Sequence, residues 1–202
     1  MGKIFYLIGK SSTGKDTIYK MLKDDSELSL EPIVRYTTRP IREGEREGDS
    51  YFFETVSGYK RLCGMDKIIE SQVYHTVHGD WYYFTVDDGR INLENHDYIV
   101  IGVLESFAST RDFFGRDRVI PVYIEVDDGE RLQRALNREK LPENRRFKEM
   151  CRRFLADTED FSEERIRELE IGDESRFEND NLERCVARIK NYIISVKNQP
   201  EV

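Results

Sequence analysis

The sequence predicts an α/β fold: a parallel sheet flanked by helices, with a small antiparallel sheet inserted into it. Three observations carry this. The runs Ile4-Phe5-Tyr6-Leu7-Ile8, Tyr98-Ile99-Val100-Ile101-Gly102-Val103 and Val119-Ile120-Pro121-Val122-Tyr123-Ile124-Glu125-Val126 are almost unbroken in hydrophobicity, as strands buried on both faces are. Helical patterns separate them, and alternating strands and helices imply right-handed crossovers in a parallel sheet. Residues 51–86 instead carry short aromatic runs (Tyr51-Phe52-Phe53, Ile68-Ile69, Tyr82-Tyr83-Phe84-Thr85-Val86), the composition of a small antiparallel insert.

In chain order, the first strand leads through a glycine-bearing turn into a helix over 15–23, with Ile18, Met21 and Leu22 on one face. Pro32-Ile33-Val34-Arg35-Tyr36 reads as a second strand, and Thr37 to Glu45 as a loop bearing Pro40, Gly44 and two arginines three apart. After the aromatic insert come the strand from Tyr98, a helix from about Glu105 to Phe114, and the strand from Val119. Asp127-Asp128 opens a charged helical region running to about Leu169, interrupted at Leu141-Pro142. Arg176-Phe177-Glu178-Asn179 reads as a short last strand. Leu182, Val186, Ile189, Ile193 and Ile194 then form the apolar stripe of a terminal helix. There is no repeat and no low-complexity linker.

At 202 residues the chain has room for one domain, or one domain with an inserted subdomain. A 38% apolar fraction beside 36% charged residues gives a foldable chain with a highly charged surface. The net charge of −8 argues against a nucleic-acid partner. No apolar run approaches the roughly 20 residues that cross a bilayer, and the N-terminus leads straight into a functional-looking loop, so a cytoplasmic protein without a membrane partner is expected. Cys63, Cys151 and Cys185 lie far apart, as do His75, His78 and His96. Neither set has metal-ligand spacing, and idle thiols are expected. Oligomeric state is not legible.

The chemistry starts at Gly9-Lys10-Ser11-Ser12-Thr13-Gly14-Lys15-Asp16-Thr17. A Gly-x-x-x-x-Gly-Lys pattern between a buried strand and a helix is a phosphate-binding loop. Its glycines allow close backbone approach, the helix N-terminus presents free N–H groups, and the lysine supplies a point charge. Asp16 stands where a magnesium-touching hydroxyl normally follows the lysine. Arg39 and Arg42 suit a second phosphate, held by forked hydrogen bonds, with Tyr51 adding a hydroxyl. The bland alternative is a solvated loop whose arginines pair with Glu43, Glu45 and Glu47.

At this second segment the chain resembles the guanylate kinase family. The family pattern Ser-x-Thr-Thr-Arg-x-x-Arg-x-Gly-Glu, then Gly-x-Asp-Tyr-x-Phe, is matched by Arg35-Tyr36-Thr37-Thr38-Arg39-Pro40-Ile41-Arg42-Glu43-Gly44-Glu45 and by Gly48-Asp49-Ser50-Tyr51-Phe52-Phe53. Ile68-Ile69-Glu70, Gly79-Asp80-Trp81-Tyr82-Tyr83-Phe84-Thr85, the arginines Arg134, Arg138 and Arg153, and Glu178-Asn179-Asp180-Asn181-Leu182 are similar to later family segments, in the same order. The resemblance implies a P-loop NTPase-type core (1–34, 87–133, 158–202), an acceptor-binding subdomain (35–86) and a helical lid (134–157). It implies small-molecule nucleotide partners, with ATP and magnesium as cofactors. It implies that residues 9–17 bind ATP, that Arg39, Arg42, Tyr51 and Tyr82 hold the acceptor phosphate, and that Glu70 reads a purine. Lys15, Arg39, Arg138 and Arg153 then stabilise the transferring phosphoryl group, Arg153 in a register shared with Arg146 and Arg152.

Three departures stand against the family pattern. Arg35 replaces a serine that joins the glutamate in reading guanine, and an arginine there either meets a base carbonyl or leans on Glu70. An Asp-x-Asp after the third strand is missing, the chain reading Ile101-Gly102-Val103-Leu104-Glu105. Asp16 replaces the magnesium-ligating hydroxyl and is the expected metal ligand, with Thr17 or Glu105 as the alternatives. Two classes of function follow: an ATP-dependent kinase of GMP or dGMP, or a catalytically weak binding module of the same shape. A kinase of a different small phosphorylated acceptor lies between them. The retained phosphate loop and arginine pair favour the kinase.

Overall fold

The computed structural model describes residues 1–76, 79–141 and 146–199. β1 (Ile4–Ile8) lies at the centre of a five-stranded sheet in the order β2-β7-β1-β8-β9, with β2 (Leu30–Pro32), β7 (Asp97–Ile101), β8 (Val119–Glu125) and β9 (Arg176–Glu178). Every pairing in it is parallel. β1 is buried throughout, and its alternating side chains feed two cores. Ile4, Tyr6 and Ile8 pack with Leu104 and Phe107 of α3 (Leu104–Phe114) and with Phe161 and Ile166. Phe5 and Leu7 pack with Ile18 and Leu22 of α1 (Lys15–Lys23) and with Cys185, Ile189 and Ile193 of α7 (Leu182–Lys197). Strands built from β1 fall first on one side and then on the other, so the order reverses at β1. The carboxyl end of such a strand is where α/β sheets open a ligand crevice.

The second sheet has the order β4-β3-β6-β5, from β3 (Tyr36–Thr37), β4 (Phe52–Phe53), β5 (Ile68–Thr76) and β6 (Gly79–Val86). It differs from expectation in three ways. Residues 32–36 are not one strand: Leu30–Pro32 ends in the large sheet, and Tyr36 begins the small one. Ile33 is drawn into the core, and the chain crosses between sheets over the next two residues. The small sheet is mixed, since β3 pairs β4 in parallel and β6 antiparallel. It also contains α2 (Val56–Gly64), opened by Thr55, whose hydroxyl accepts from the Gly58 amide at 3.0 Å. α2 leaves little trace in the sequence, because it is short and buries only Gly58.

The charged region from Asp127 resolves into three helices rather than one interrupted helix. They are α4 (Asp128–Glu139), α5 (Phe147–Asp160) and α6 (Glu163–Glu168). Asp127 caps α4 by accepting from the amides of Gly129 and Glu130, and Ser162 caps α6. Among the described residues no helix is long and apolar enough to cross a membrane.

Candidate active site

The loop between β1 and α1 is held shut from behind. Gly14 has φ 87°, a left-handed angle that suits glycine. Its missing Cβ leaves room for Asn179 Nδ2, which would lie 2.6 Å from such an atom. Asn179 itself is buried just past β9. Its side-chain amide donates to the Thr13 carbonyl at 2.8 Å, and its backbone amide donates to Glu125. Thr13 is buried and donates from Oγ1 to the Lys10 carbonyl at 2.9 Å, so the turn is fixed before any ligand arrives. Lys15 donates from Nζ to the same carbonyl at 3.3 Å. Burial pushes its ammonium pKa down; Asp16 and Asp157 oppose this, while the nearby charges of Arg153 and Arg131 reinforce it.

Asp157 and Arg131 were not anticipated from the sequence. Arg131 of α4 is 1% exposed. Its guanidinium reaches Asp157 at 2.8 Å, Asp128 at 3.0 Å and the Ser11 carbonyl at 3.4 Å, and sits 4.1 Å over the Phe154 ring. Asp157 of α5 also accepts from the Ser11 amide at 2.8 Å. One carboxylate therefore joins two helices to a backbone N–H of the phosphate loop. The signal was present but faint: Arg131, Ala135 and Glu139, four residues apart, form the buried stripe of α4, and a charge on a buried stripe demands a partner. Arg153 precedes Asp157 by one helical turn, which explains why its charge reaches Lys15. Arg153 also donates to Glu149 at 2.8 Å, Arg138 bonds Glu139, and Arg134 reaches the Asn179 carbonyl. Arg152 pairs with Glu149, and the Arg146 amide with Glu139.

In the small sheet Arg39 is 3% exposed and almost fully engaged. It forks onto Glu45 at 2.7 and 2.9 Å, donates to the Pro40 carbonyl and meets the Tyr83 hydroxyl at 3.1 Å. Hydrogen bonds from Arg39 hold the Glu45 carboxyl down at about 2. Glu45 also accepts from the Arg42 amide at 2.8 Å, so one acid ties both arginines into one loop. The pairing foreseen as the bland alternative is thus present for Arg39, while Arg42 is exposed. Tyr51 stands edge-on to Tyr83, with the Arg39 guanidinium 5.4 Å over its ring. Tyr82 stacks on Tyr59 at 4.2 Å.

Glu70 is brought inward by a register shift between Ile68 and Glu70 that sets it opposite Thr85. It is 4% exposed. Arg35 forks onto it, Nε to Oε1 at 2.9 Å and Nη2 to Oε2 at 2.8 Å, and the Thr85 hydroxyl donates to Oε1 at 2.6 Å. Burial works against the Arg35 charge, yet Glu70 and then Tyr6 more than offset it, and the net shift is upward. Of the two outcomes open to Arg35, the structure takes the second: it leans on Glu70. Where the Asp-x-Asp is missing, Gly102 lies against a buried side chain. A Cβ on Gly102 would lie 2.4 Å from the hydroxyl of buried Tyr6.

Among the described residues no three His, Cys, Asp or Glu side chains form a metal cage. Magnesium held with a nucleotide needs only one or two protein carboxylates beside phosphate oxygens and water. Asp16, exposed on the first turn of α1 beside Lys15, fits that role. Glu105, the acidic alternative, is taken by Arg165 at 2.5 Å. His75 is exposed and pairs with Asp80, while His78 lies outside the described residues. Cys63 and Cys151 are exposed and Cys185 is buried.

The guanylate kinase family model matches residues 1–101, half of the chain. The chain belongs to the guanylate kinase family. Guanylate kinase of Porphyromonas gingivalis is 27% identical over 195 residues, covering 96% of this chain and 97% of that protein. Guanylate kinase of Mesomycoplasma hyopneumoniae is 29% identical over 204 residues, covering 96% and 94%. The crystal structure of guanylate kinase from Anaplasma phagocytophilum superposes with a TM-score of 0.63 at 21% identity, over 98% of this chain and 87% of that one, and shares the fold. Guanylate kinase relatives therefore match this chain beyond the phosphate loop, across the small sheet and through the helices that close the sequence.

Proposed function

We propose that this chain is an ATP-dependent nucleoside monophosphate kinase that phosphorylates GMP or dGMP. The observation that carries the reading is the phosphate loop, pre-set by Asn179 and Thr13 at the point where the sheet order reverses, beside a small sheet with its own buried arginine and carboxylate. In this assignment residues 1–34, 87–133 and 158–202 form the core, 35–86 the acceptor subdomain and 134–157 the lid.

The amides of residues 9–17 and Lys15 grip the donor phosphates. Arg42, Tyr51, Tyr82 and the remaining donor capacity of Arg39 hold the acceptor phosphate, with Glu45 fixing both arginines. Asp16 would hold a magnesium ion bound with ATP, and the ion would supply neutralising charge to the phosphates. Arg153, on the α5 face whose charge reaches Lys15, and Arg138 spread the charge that develops on the moving phosphoryl group. Closure of α4 and α5 excludes water, which otherwise competes as acceptor.

A coupled ADP-release assay with ATP and magnesium against GMP, dGMP, AMP, CMP, UMP and IMP tests this. ADP release that depends on a guanine nucleotide supports the kinase. Nucleotide binding without turnover points instead to the binding module of the same shape.

A further inference from the structure

We propose that Arg35 is the specificity-determining residue of the acceptor's base subsite, and that the subsite does not read the 2-amino group of guanine. The inference rests on the kinase reading above and concerns which purine monophosphates the same site accepts.

A carboxylate offers about four lone-pair positions. In Glu70 three are spent: Oε1 accepts from Arg35 Nε and the Thr85 hydroxyl, and Oε2 accepts from Arg35 Nη2. The Arg35 fork lies across both oxygens together. That is the side on which a carboxylate meets two adjacent donors. Guanine presents two such donors, N1–H and the 2-amino group, and needs two free acceptors side by side. One free position on Oε2 meets N1–H only. Arg35 keeps the N–H groups of Nη1 outside the fork, and one of them suits the O6 carbonyl of a 6-oxopurine.

Gly102, just past the end of β7, brings no side chain to the subsite, and Tyr6 fills the space beside it. Tyr6 is buried beneath the pair, and the Glu70 charge is the second cause, after burial, of its raised pKa. Glu70 and Arg35 therefore supply a 6-oxo reader and a single N1–H acceptor, with no second Glu70 position for the 2-amino group. Hypoxanthine satisfies this pair as fully as guanine does. A site that hydrogen-bonds a substrate amine rejects the analogue lacking it by about 10⁴-fold, and one that leaves the amine unread discriminates by about 10²-fold or less.

The test compares GMP with IMP on the wild-type protein, Arg35→Ser and Arg35→Lys. Calorimetric Kd values and kcat/KM from ADP release are both measured. Arg35→Lys keeps a cation beside Glu70, so it serves if Arg35→Ser, which strands a buried acid, fails to fold. The expected result is a GMP/IMP ratio within about 100-fold for wild type, widening by at least about tenfold in the serine variant and less in the lysine variant as Glu70 oxygens are released. A wild-type preference for GMP above about 100-fold overturns the inference and leaves the kinase standing. A narrow wild-type ratio that neither variant widens overturns the assignment to Arg35. Matched Kd values without ADP release support the inference and overturn the kinase. Failure of both nucleotides to bind overturns both.

Discussion

Replacing Arg131 by methionine tests whether the phosphate loop is held by a buried charge network. Methionine keeps most of the volume and removes the cation. Arg131 is 1% exposed, and its principal partner Asp157 is 14% exposed, so the change strands a mostly buried carboxylate. Breaking a buried pair by removing one member costs about 3–5 kcal/mol. Asp157 retains its bond from the Ser11 amide and some water, which places the expected loss near the lower figure, about 3 kcal/mol. For a chain of this length that lowers the melting temperature by about 6–12 °C. Urea denaturation gives the free energy, and calorimetry with a non-hydrolysable ATP analogue shows whether the loop has lost its geometry. Arg131→Met/Asp157→Leu leaves no orphaned charge and recovers much of the stability. A loss under about 1 kcal/mol for Arg131→Met, or a double variant no better than the single, would refute the reasoning.

Three further outcomes follow from the same structure. Gly14→Ala forces a Cβ into a left-handed turn and against Asn179 Nδ2 at 2.6 Å. Urea denaturation is expected to show a loss of about 2 kcal/mol, and ATP affinity to fall with it; wild-type values for both contradict the pinned loop. Glu45 has a folded pKa of about 2 against an ordinary value of 4.5, because Arg39 binds its charged form. A depressed carboxylate stabilises above 4.5 and loses that contribution as pH falls from 4.5 towards 2. Glu45→Gln is therefore expected to flatten the stability profile across that window, and an unchanged acid limb counts against the Arg39 pairing. Asp16→Ser is expected to raise the magnesium needed for half-maximal ADP release, and an identical titration curve removes Asp16 from the metal.

The parts of this fold legible in the sequence were those with one dominant cause. Unbroken apolar runs leave no choice but a doubly covered parallel strand, and β1, β7 and β8 sit within two residues of the ends expected for them. The glycine and lysine pattern likewise marked the loop, because the backbone angles that it needs restrict residue type. Partnerships between distant charges were not legible. Nothing local to Asp157 distinguishes it from Glu149 or Glu159, and only the packing of α4 against α5 brings it to the Ser11 amide. Arg35 could be read as a departure, but whether it met a ligand or Glu70 depended on a register shift in β5 that no local pattern announces.

Tyr6 touches position 102 and feels the charges of Glu70 and Arg35, which ties the end of β7 to the buried pair. Placing an acid just past β7, as Gly102→Asp, drives a Cβ to 2.4 Å from the Tyr6 hydroxyl and 2.8 Å from its ring. Overpacking of this kind costs about 1–3 kcal/mol. Tyr6→Val alone leaves a cavity beneath Phe107, whose ring now stands 5.6 Å from that of Tyr6. Each single change damages the core, yet the two together exchange one large side chain for a smaller pair. Urea denaturation of both single variants and the double is expected to show a favourable coupling of at least about 1 kcal/mol. Additivity within about 0.5 kcal/mol would mean that Tyr6 is not what bars a side chain at position 102.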